Sequence, residues 1–237
     1  TDGTGDLATT RASSATRVNK EALIETVVTG VPRLDYTDGG CPSLLLELQS
    51  TNLFTNSEDF SSFTQNGCSI ISDDIAFINS NLADKIKEDS ATTNKHIRPL
   101  NISITSGQSY IMSAFFKPDN CDLIAFREAT SSGNAITYKF STGTASVFGS
   151  RWTELKTINY SNGWTRITAK YTAISTASMN FRVHLLGNNY NQISNPDVGT
   201  YAYLGDGASG VFMSALQLEA QSYATSYIPT TGAISTR

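Results

Sequence analysis

The sequence predicts an all-β fold, a sandwich or a barrel, and three observations lead to that prediction. Only 16% of the 237 residues are charged, against about 25% in an average globular protein. Ser, Thr and Asn are abundant instead, and they disfavour helix interiors because their side chains compete for backbone hydrogen bonds. Apolar and polar residues alternate along many short segments, and turn residues separate those segments.

The alternation has a period of two, which is typical of strands with one face on a core and the other in water. Residues 179–185 show it clearly, and there the pattern predicts that Phe181 and Val183 are buried and Arg182 is not. Trp164 opens another such strand and is predicted to be core. The remaining segments with this pattern are 102–104, 110–116, 136–140 and 167–171. Turn signals lie at 105–107, 131–134, 141–143, 161–163 and 205–207.

The first part of the chain lacks this rhythm. We predict an extended N-terminal arm over residues 1–62, followed by the sandwich over 63–237. Residues 1–20 are polar and lack an apolar period, so we interpret them as an arm or linker. Residues 19–25 run into a β-branched stretch and predict a turn and a strand rather than a helix. Residues 44–48 predict a short apolar strand. Three aromatic residues are expected to fill a groove: Phe54, Phe60 and Phe63.

The arm holds more apolar surface than a solvated linker would, because exposing apolar surface to water costs about 25 cal/mol per Å². It must therefore pack on its own sandwich or on a neighbouring subunit, and we expect the neighbour, since shared arms suit symmetric assemblies. A contact with a neighbouring subunit would leave apolar residues of the arm unburied by the core of their own chain. These residues are Val27, Val31, Leu34 and Tyr36.

Charge and cysteine content exclude several classes of protein. The net charge is −4 and no Lys/Arg run occurs, so we expect no nucleic-acid partner. No apolar run approaches the roughly 20 residues of a membrane span, so we expect no membrane insertion. Cys41, Cys68 and Cys121 form no C-x-x-C pair and are predicted to be unlinked thiols.

No pattern of catalytic residues is present. His96 and His184 show neither zinc spacing nor a G-x-S-x-G partner, and we predict two ordinary surface or groove histidines. The acid doublets, among them Glu88-Asp89, lie in turn-like contexts and are interpreted as solvated turn acids. Neighbouring residues on a strand point to opposite faces, so these doublets are not expected to form a catalytic pair of carboxylates. We therefore predict no hydrolytic activity.

No cofactor is predicted, with a structural calcium ion as the alternative. Calcium takes oxygen ligands, and polar stretches hold carboxylates that suit it, but the EF-hand spacing is absent and no ligands are assigned. The carboxylates in question are Asp73, Asp74, Asp84 and Asp206.

Aromatic residues among amides are the strongest ligand signal, because sugars stack on aromatic faces while amides bind their hydroxyl groups. Residues 188–203 form a long polar segment with Asn189, Tyr190, Tyr201 and Tyr203, and these four are candidate glycan-binding residues. The alternative is a contact to a neighbouring subunit. Trp152 is the fifth candidate; it is either an exposed platform or a lid on the core, and the lid is favoured.

Two flanking stretches resemble those of phage structural and fibre proteins that carry a carbohydrate-binding-module-like, or concanavalin-like, jelly-roll domain. Residues 107–118 and 162–167 resemble its central strands. The flanking residues that carry the resemblance are 11–19, 24–25, 31–36, Cys41, 44–47 and 51–60 at the start, and 210–229, with 215–219 and 224–229, at the end.

The resemblance implies a jelly-roll sandwich and a non-enzymatic virion protein, a capsid decoration or a head-fibre or tail-fibre module, assembled in the bacterial host cytoplasm. Its partners would be copies of itself, other virion proteins and, through glycan binding, host surface polysaccharide. The alternatives are a dedicated carbohydrate-binding module of a host-recognition adhesin and, third, a polysaccharide depolymerase.

Overall fold

The computed structural model describes residues 9–76, 82–129, 133–160, 163–191 and 197–237, without the side chains of residues 73 and 76. All regular elements in these ranges are β-strands, and most belong to two antiparallel six-stranded sheets. The all-β jelly-roll sandwich predicted from the sequence is confirmed.

The two large sheets are built from strands far apart in the chain. The first sheet has the order β15 (Thr144–Phe148), β14 (Ala135–Lys139), β13 (Leu123–Glu128), β19 (Phe181–Leu186), β10 (Lys95–Arg98) and β6 (Thr64–Asn66). The second has the order β16 (Trp152–Asn159), β17 (Thr165–Thr172), β12 (Ser109–Asp119), β21 (Gly210–Glu219), β8 (Leu82–Glu88) and β7 (Cys68–Ala76).

Two-stranded ribbons surround the sheets. They are β1 (Ala15–Val18) with β2 (Ile24–Val27), β3 (Leu34–Asp35) with β4 (Ser43–Leu44), β5 (Thr51–Asn52) with β22 (Ser235–Thr236), β9 (Thr92–Thr93) with β20 (Tyr203–Leu204), and β11 (Ile102–Ile104) with β18 (Ala177–Met179).

The main core lies between the two large sheets and is rich in aromatic residues. Trp152 packs on Phe126, Tyr171 and Phe181, with ring centroids 5.2–6.2 Å apart. Phe181 and Val183 are buried and Arg182 is partly exposed, so the predicted register of this strand is confirmed. Trp164 is also buried, as predicted, but in a second cluster on the outer face of the second sheet.

The N-terminal residues form a hairpin rather than an irregular arm. The interpretation of residues 1–20 as an arm or linker is wrong for residues 15–18, because β1 pairs with β2 there and Ala15 lies opposite Val27. The predicted turn and strand over 19–25 are confirmed: Asn19 Oδ1 accepts the amide hydrogen of Leu23 at 2.9 Å. The hairpin packs on the second sheet, where Thr16 Oγ1 donates to the Tyr227 carbonyl at 2.6 Å.

The following residues also contact their own sandwich. Asn52 Nδ2 donates to the carbonyls of Leu216 and Ile228 at 3.0 and 3.1 Å. Phe54, Phe60 and Phe63 lie in the main core, which confirms their predicted role as a plug.

Several apolar residues of the N-terminal segment remain in water. Val27 is buried and Tyr36 is half-buried, whereas Val31 and Leu34 are exposed. The predicted strand over 44–48 is wrong beyond Leu44, because only Ser43 and Leu44 pair with β3. Leu46 and Leu48 are exposed over 81% and 68% of their surface. The boundary at residue 62 and the contact with a neighbouring subunit stay predictions.

The outer face of the first sheet is covered, which corrects the prediction of two exposed or groove histidines. His96 lies opposite His184 on β10 and β19, and both are buried, with ring centroids 4.8 Å apart. The chain around 197–203 crosses this face, because Asn94 Nδ2 donates to the carbonyls of Val198 and Tyr201, both at 2.9 Å.

The thiols are unlinked, as predicted: Cys41 is exposed, Cys68 half-buried and Cys121 buried. Within the described ranges, no helix has the length and apolar character needed to cross a membrane.

Candidate functional site

A cavity of about 540 Å³ opens at one end of the sandwich, where β19, β8 and β20 end together. This volume lies within the range of ligand pockets, which is roughly 300–1,000 Å³. Its lining combines aromatic rings, amides and carboxylates: Glu88, Asn120, Cys121, Leu186, Gly187, Asn188, Asn189, Tyr201, Tyr203, Leu204, Gly205, Asp206 and Ser209.

Two tyrosine rings form the aromatic wall of the cavity. Tyr201 and Tyr203 stack with centroids 5.6 Å apart and an interplanar angle of 23°. Tyr190 meets Tyr201 edge-on at 4.8 Å and in turn contacts Phe148 on the first sheet. The two stacked rings are half-buried, so each keeps part of its surface for a ligand.

A buried carboxylate fixes the position of Tyr203. The Tyr203 hydroxyl donates to Glu88 Oε2 at 2.6 Å, and the Asp206 amide donates to Glu88 Oε1 at 2.8 Å. Burial first, and this bond to Glu88 second, raise the pKa of Tyr203 far above its usual range. The hydroxyl therefore stays protonated and remains a donor.

A buried lysine, Lys95, also contacts the ring of Tyr203. Lys95 Nζ lies 5.0 Å from the centroid of Tyr203, within reach of a cation–π interaction. The ammonium group is fully buried and donates to Asp89 Oδ1 at 2.6 Å and to the Ala91 carbonyl at 3.0 Å. Because its charge is satisfied by protein acceptors, Lys95 serves to hold the aromatic wall.

Two asparagine side chains also line the cavity. Asn188 has a structural role: its Nδ2 donates to the Asn120 carbonyl at 3.1 Å, and its Oδ1 accepts the Asp122 amide hydrogen at 3.0 Å. Asn189 is exposed beside it. The cavity therefore combines an exposed amide with an aromatic wall. Amides bind sugar hydroxyls, and aromatic rings stack on the C–H faces of sugars.

The structure brings together most of the residues proposed from the sequence. Tyr201, Tyr203 and Asn189 line the cavity, and Tyr190 supports Tyr201 from behind. Trp152 is not part of this site. It lies opposite Tyr171 in the second sheet and is fully buried, so its ring has no surface to offer a ligand, and the lid interpretation describes it better.

Glu88, Lys95 and Asp206 were not proposed as site residues from the sequence. The Glu88-Asp89 doublet was interpreted as solvated turn acids, yet Glu88 is 6% exposed. Glu88 shares one face of β8 with Ile86 and Asp84, which are both buried, so this alternation could have indicated its burial. No local pattern indicates its partner Tyr203.

The carboxylate of Asp206 is held by hydrogen bonds within its own turn. Asp206 accepts hydrogen bonds from the amides of Ala208 and Ser209, both at 2.7 Å, and from Ser209 Oγ at 2.6 Å. These bonds, those from Ser209 first, lower the pKa of Asp206 well below its usual range. A glycosidase acid needs the opposite shift, because it must hold a proton near neutral pH.

Two of the carboxylates considered for calcium are bonded elsewhere, and the side chain of Asp73 lies outside the described residues. Asp84 is buried and accepts the Phe60 amide hydrogen at 2.9 Å, and Asp206 is bonded within its own turn. Across the described residues, no group of three or more His, Cys, Asp or Glu side chains converges as metal ligands would.

The chain is thus an all-β sandwich with a polar pocket at one end, and tyrosine rings form one wall of that pocket. No protein-family model matches the chain. No curated protein matches it either.

Three solved structures that are similar to this chain contain carbohydrate-binding modules. The CBM22-1 xylan-binding domain from Paenibacillus barcinonensis is 8% identical, with 73% of this chain and 94% of that chain covered and a TM-score of 0.36. The CBM22-1–GH10 modules of a Clostridium thermocellum endo-1,4-β-D-xylanase, complexed with xylohexaose, are 13% identical over 77% of this chain and 30% of that one, with a TM-score of 0.38. A CBM61 module in complex with β-1,4-galactotriose is 11% identical over 72% and 99%, with a TM-score of 0.34.

Proposed function

We propose that this chain is a non-enzymatic glycan-binding module of a bacteriophage virion protein, and that the cavity at Tyr201 and Tyr203 holds the sugar. The observation that carries the glycan-binding part is the fixed tyrosine wall with an exposed amide in the same cavity. Such a wall costs little to order on binding, because Glu88 and Lys95 already hold Tyr203 in place.

Polysaccharide arrays and affinity electrophoresis test this part. Tyr201→Ala removes one stacked ring, and base or sugar stacking on an aromatic ring is worth about 1–3 kcal/mol, so we expect affinity to fall about tenfold or more. Tyr223→Ala is the matched control, because Tyr223 is 41% exposed in the bend after β21 and does not line the cavity. Equal binding by both variants and the unaltered chain would contradict the proposed site.

The absence of catalysis is part of the same proposal. Both oxygens of Glu88 accept hydrogen bonds from the protein, and Asp206 is held as an ionised acceptor. Neither carboxyl is placed to donate a proton to a leaving group. Incubation of the protein with a bound polysaccharide should release no reducing ends and no unsaturated sugars.

The virion part of the proposal has its support in the resemblance of the flanking residues to phage structural and fibre proteins. A capsid decoration, a head fibre and a tail fibre would all place the module on the outside of the particle. The exposed Leu46 and Leu48 support a contact with another virion protein or another copy of this chain, because that contact would remove their surface from water.

Labelling intact particles with an antibody against the chain, followed by electron microscopy, tests the virion location. Light scattering tests assembly: we expect oligomers for the unaltered chain and a shift to monomer for Leu46→Asp with Leu48→Asp. An unlabelled particle would contradict the virion role, and a monomer at all concentrations would contradict self-assembly.

A further inference from the structure

Three arginines lie side by side across the first sheet, on the face turned away from the core. Arg127 of β13 is directly opposite Arg182 of β19. Arg98 follows Ile97, which is opposite Val183, so Arg98 lies level with Arg182 on the third strand. Neighbouring strands are about 4.8 Å apart, so the three residues form one cationic row about 10 Å long. We call it the arginine row.

The arginine row is costly to the free protein. Like charges directly opposite on neighbouring strands destabilise a sheet. The next level of the same face is His96 opposite His184, two buried rings rather than acids. Burial first, then Arg127 and Arg98, lower the pKa of Arg182, and Glu128 acts in the opposite direction. The fold therefore maintains three cations at a place where it supplies little compensating charge.

Two carboxylates, Asp197 and Glu128, act on the row. Burial lowers the pKa of Arg127, the innermost member, and both carboxylates oppose that shift; Gly199 packs against the same guanidinium. Glu128 acts from the neighbouring position but forms an ion pair with Arg151 at 2.5 Å. In the part of the chain that the structure describes, Arg98 and Arg182 have no carboxylate within ion-pair distance.

Access increases along the row towards the sheet edge. Arg127 is buried, Arg182 and Arg98 are half-buried, and Thr64 at the edge strand is exposed. Arg182 is also held in position, since its Nε donates to Asn180 Oδ1 at 3.1 Å. Its two terminal nitrogens are left to form a fork, the geometry that matches a carboxylate.

We propose that the arginine row binds the carboxylate groups of an acidic polysaccharide, such as a polymer of uronic acids. This inference rests on the proposed glycan-binding function and names its substrate class. The tyrosine cavity would hold a sugar ring at the Leu186 end of β19, and the row would bind acid groups near its Phe181 end. The chain's net charge of −4 opposes binding to acidic polymers generally, so the local row has to provide the attraction.

Polygalacturonate and its fully methyl-esterified form are the matched probes, because they share a backbone and differ in charge. Calorimetry should show tight binding of the acid form and at least tenfold weaker binding of the ester. Arg98→Gln with Arg182→Gln should reduce affinity for the acid form about a hundredfold and leave the ester unchanged. Arg17→Gln is the control, since it removes one positive charge from the N-terminal hairpin, outside the row.

Folding of the double variant is checked by its circular dichroism and its thermal midpoint, which should not fall, because the substitutions relieve repulsion. Equal binding of acid and ester, or no loss in the double variant, would overturn the inference. Saturable binding of inorganic phosphate with no gain for the polymer would also overturn it, since the row would then be a simple anion site.

The failure of this inference differs from the failure of the proposed function. Tyr201-dependent binding of neutral polysaccharides, without preference for the acid form, overturns the arginine row alone. Arginine-dependent binding that Tyr201→Ala leaves unchanged overturns the tyrosine cavity and supports the row. No binding of any polysaccharide overturns both.

Discussion

The hydroxyl of Tyr203 lies 2.6 Å from Oε2 of Glu88, and this bond joins two strands that are 115 residues apart in the chain. It turns a half-buried aromatic ring into a rigid wall, because rotation of the ring would leave a buried carboxylate without its donor. Tyr203→Phe keeps the ring and removes only that donor. We expect it to lower the free energy of unfolding by about 1–3 kcal/mol, the cost of an unsatisfied buried group.

Chemical denaturation of Tyr203→Phe measures this change. Tyr223→Phe provides the control, since its hydroxyl is on an exposed residue and its loss should not alter the denaturation midpoint. A Tyr203→Phe midpoint equal to that of the unaltered chain would mean that Glu88 does not depend on the phenol.

Phe181 is fully buried between Trp152 and Tyr171, with centroids 6.1 and 5.3 Å away. Phe181→Ala should therefore cost about 3–5 kcal/mol, as large-to-small changes in aromatic cores do. Leu204→Ala removes an apolar side chain that is 71% exposed and should change stability little. A loss below about 1 kcal/mol for Phe181→Ala, on the scale of surface changes, would contradict this packing.

The histidine pair predicts a loss of stability in mild acid. Burial first, then the charges of Arg182, Arg127 and Arg98, lower the pKa of His96 from 6.5 to about 4, and burial lowers that of His184. Between these values the unfolded chain binds a proton that the folded chain does not, so stability falls as the pH falls from about 6.5 to 4. The loss for His96 is on the order of 3 kcal/mol.

Denaturation midpoints at pH 7 and pH 4.5 measure this dependence. His96→Gln should flatten the curve across that interval, because glutamine does not titrate. A curve of unchanged slope in His96→Gln would assign the pH dependence to other groups.

Both tryptophans should report on the core and not on ligand binding. Trp152 and Trp164 are 0% and 2% exposed. Their fluorescence should have a short-wavelength maximum, resist quenching by acrylamide, and stay constant as a polysaccharide fills the tyrosine cavity. A marked change in emission on ligand addition would return Trp152 to the candidate site.

The strands of the sandwich could be predicted because alternation is a local property of the chain. What covers each sheet could not be predicted in the same way. Ile111 and Ser113 on β12 face away from the main core, yet both are buried. Ser113 Oγ accepts a hydrogen bond from Arg166, whose guanidinium also donates to the Thr225 carbonyl. The coverage comes from a segment more than a hundred residues away, and the local pattern holds no record of it.

The same distinction separates the predicted from the missed site residues. Tyr201, Tyr203 and Asn189 share one polar segment, so composition alone indicated them. Glu88 required knowledge of which strand end meets that segment. For Trp152, the sequence left an exposed platform and a lid on the core as alternatives and favoured the lid, and its position opposite Tyr171 shows its burial.

The position of β21 has a consequence for how the chain acquires its fold. This strand, Gly210–Glu219, lies between β12 and β8 and is the link that joins the two halves of the second sheet. During synthesis, both neighbouring strands are complete long before their shared partner leaves the ribosome, and each presents an unpaired edge in the meantime. The second sheet cannot close until β21 has been made, so its folding should be slow and should begin long after β8 and β12 are complete. Nascent chains stopped before residue 210 should be the forms that aggregate or engage chaperones.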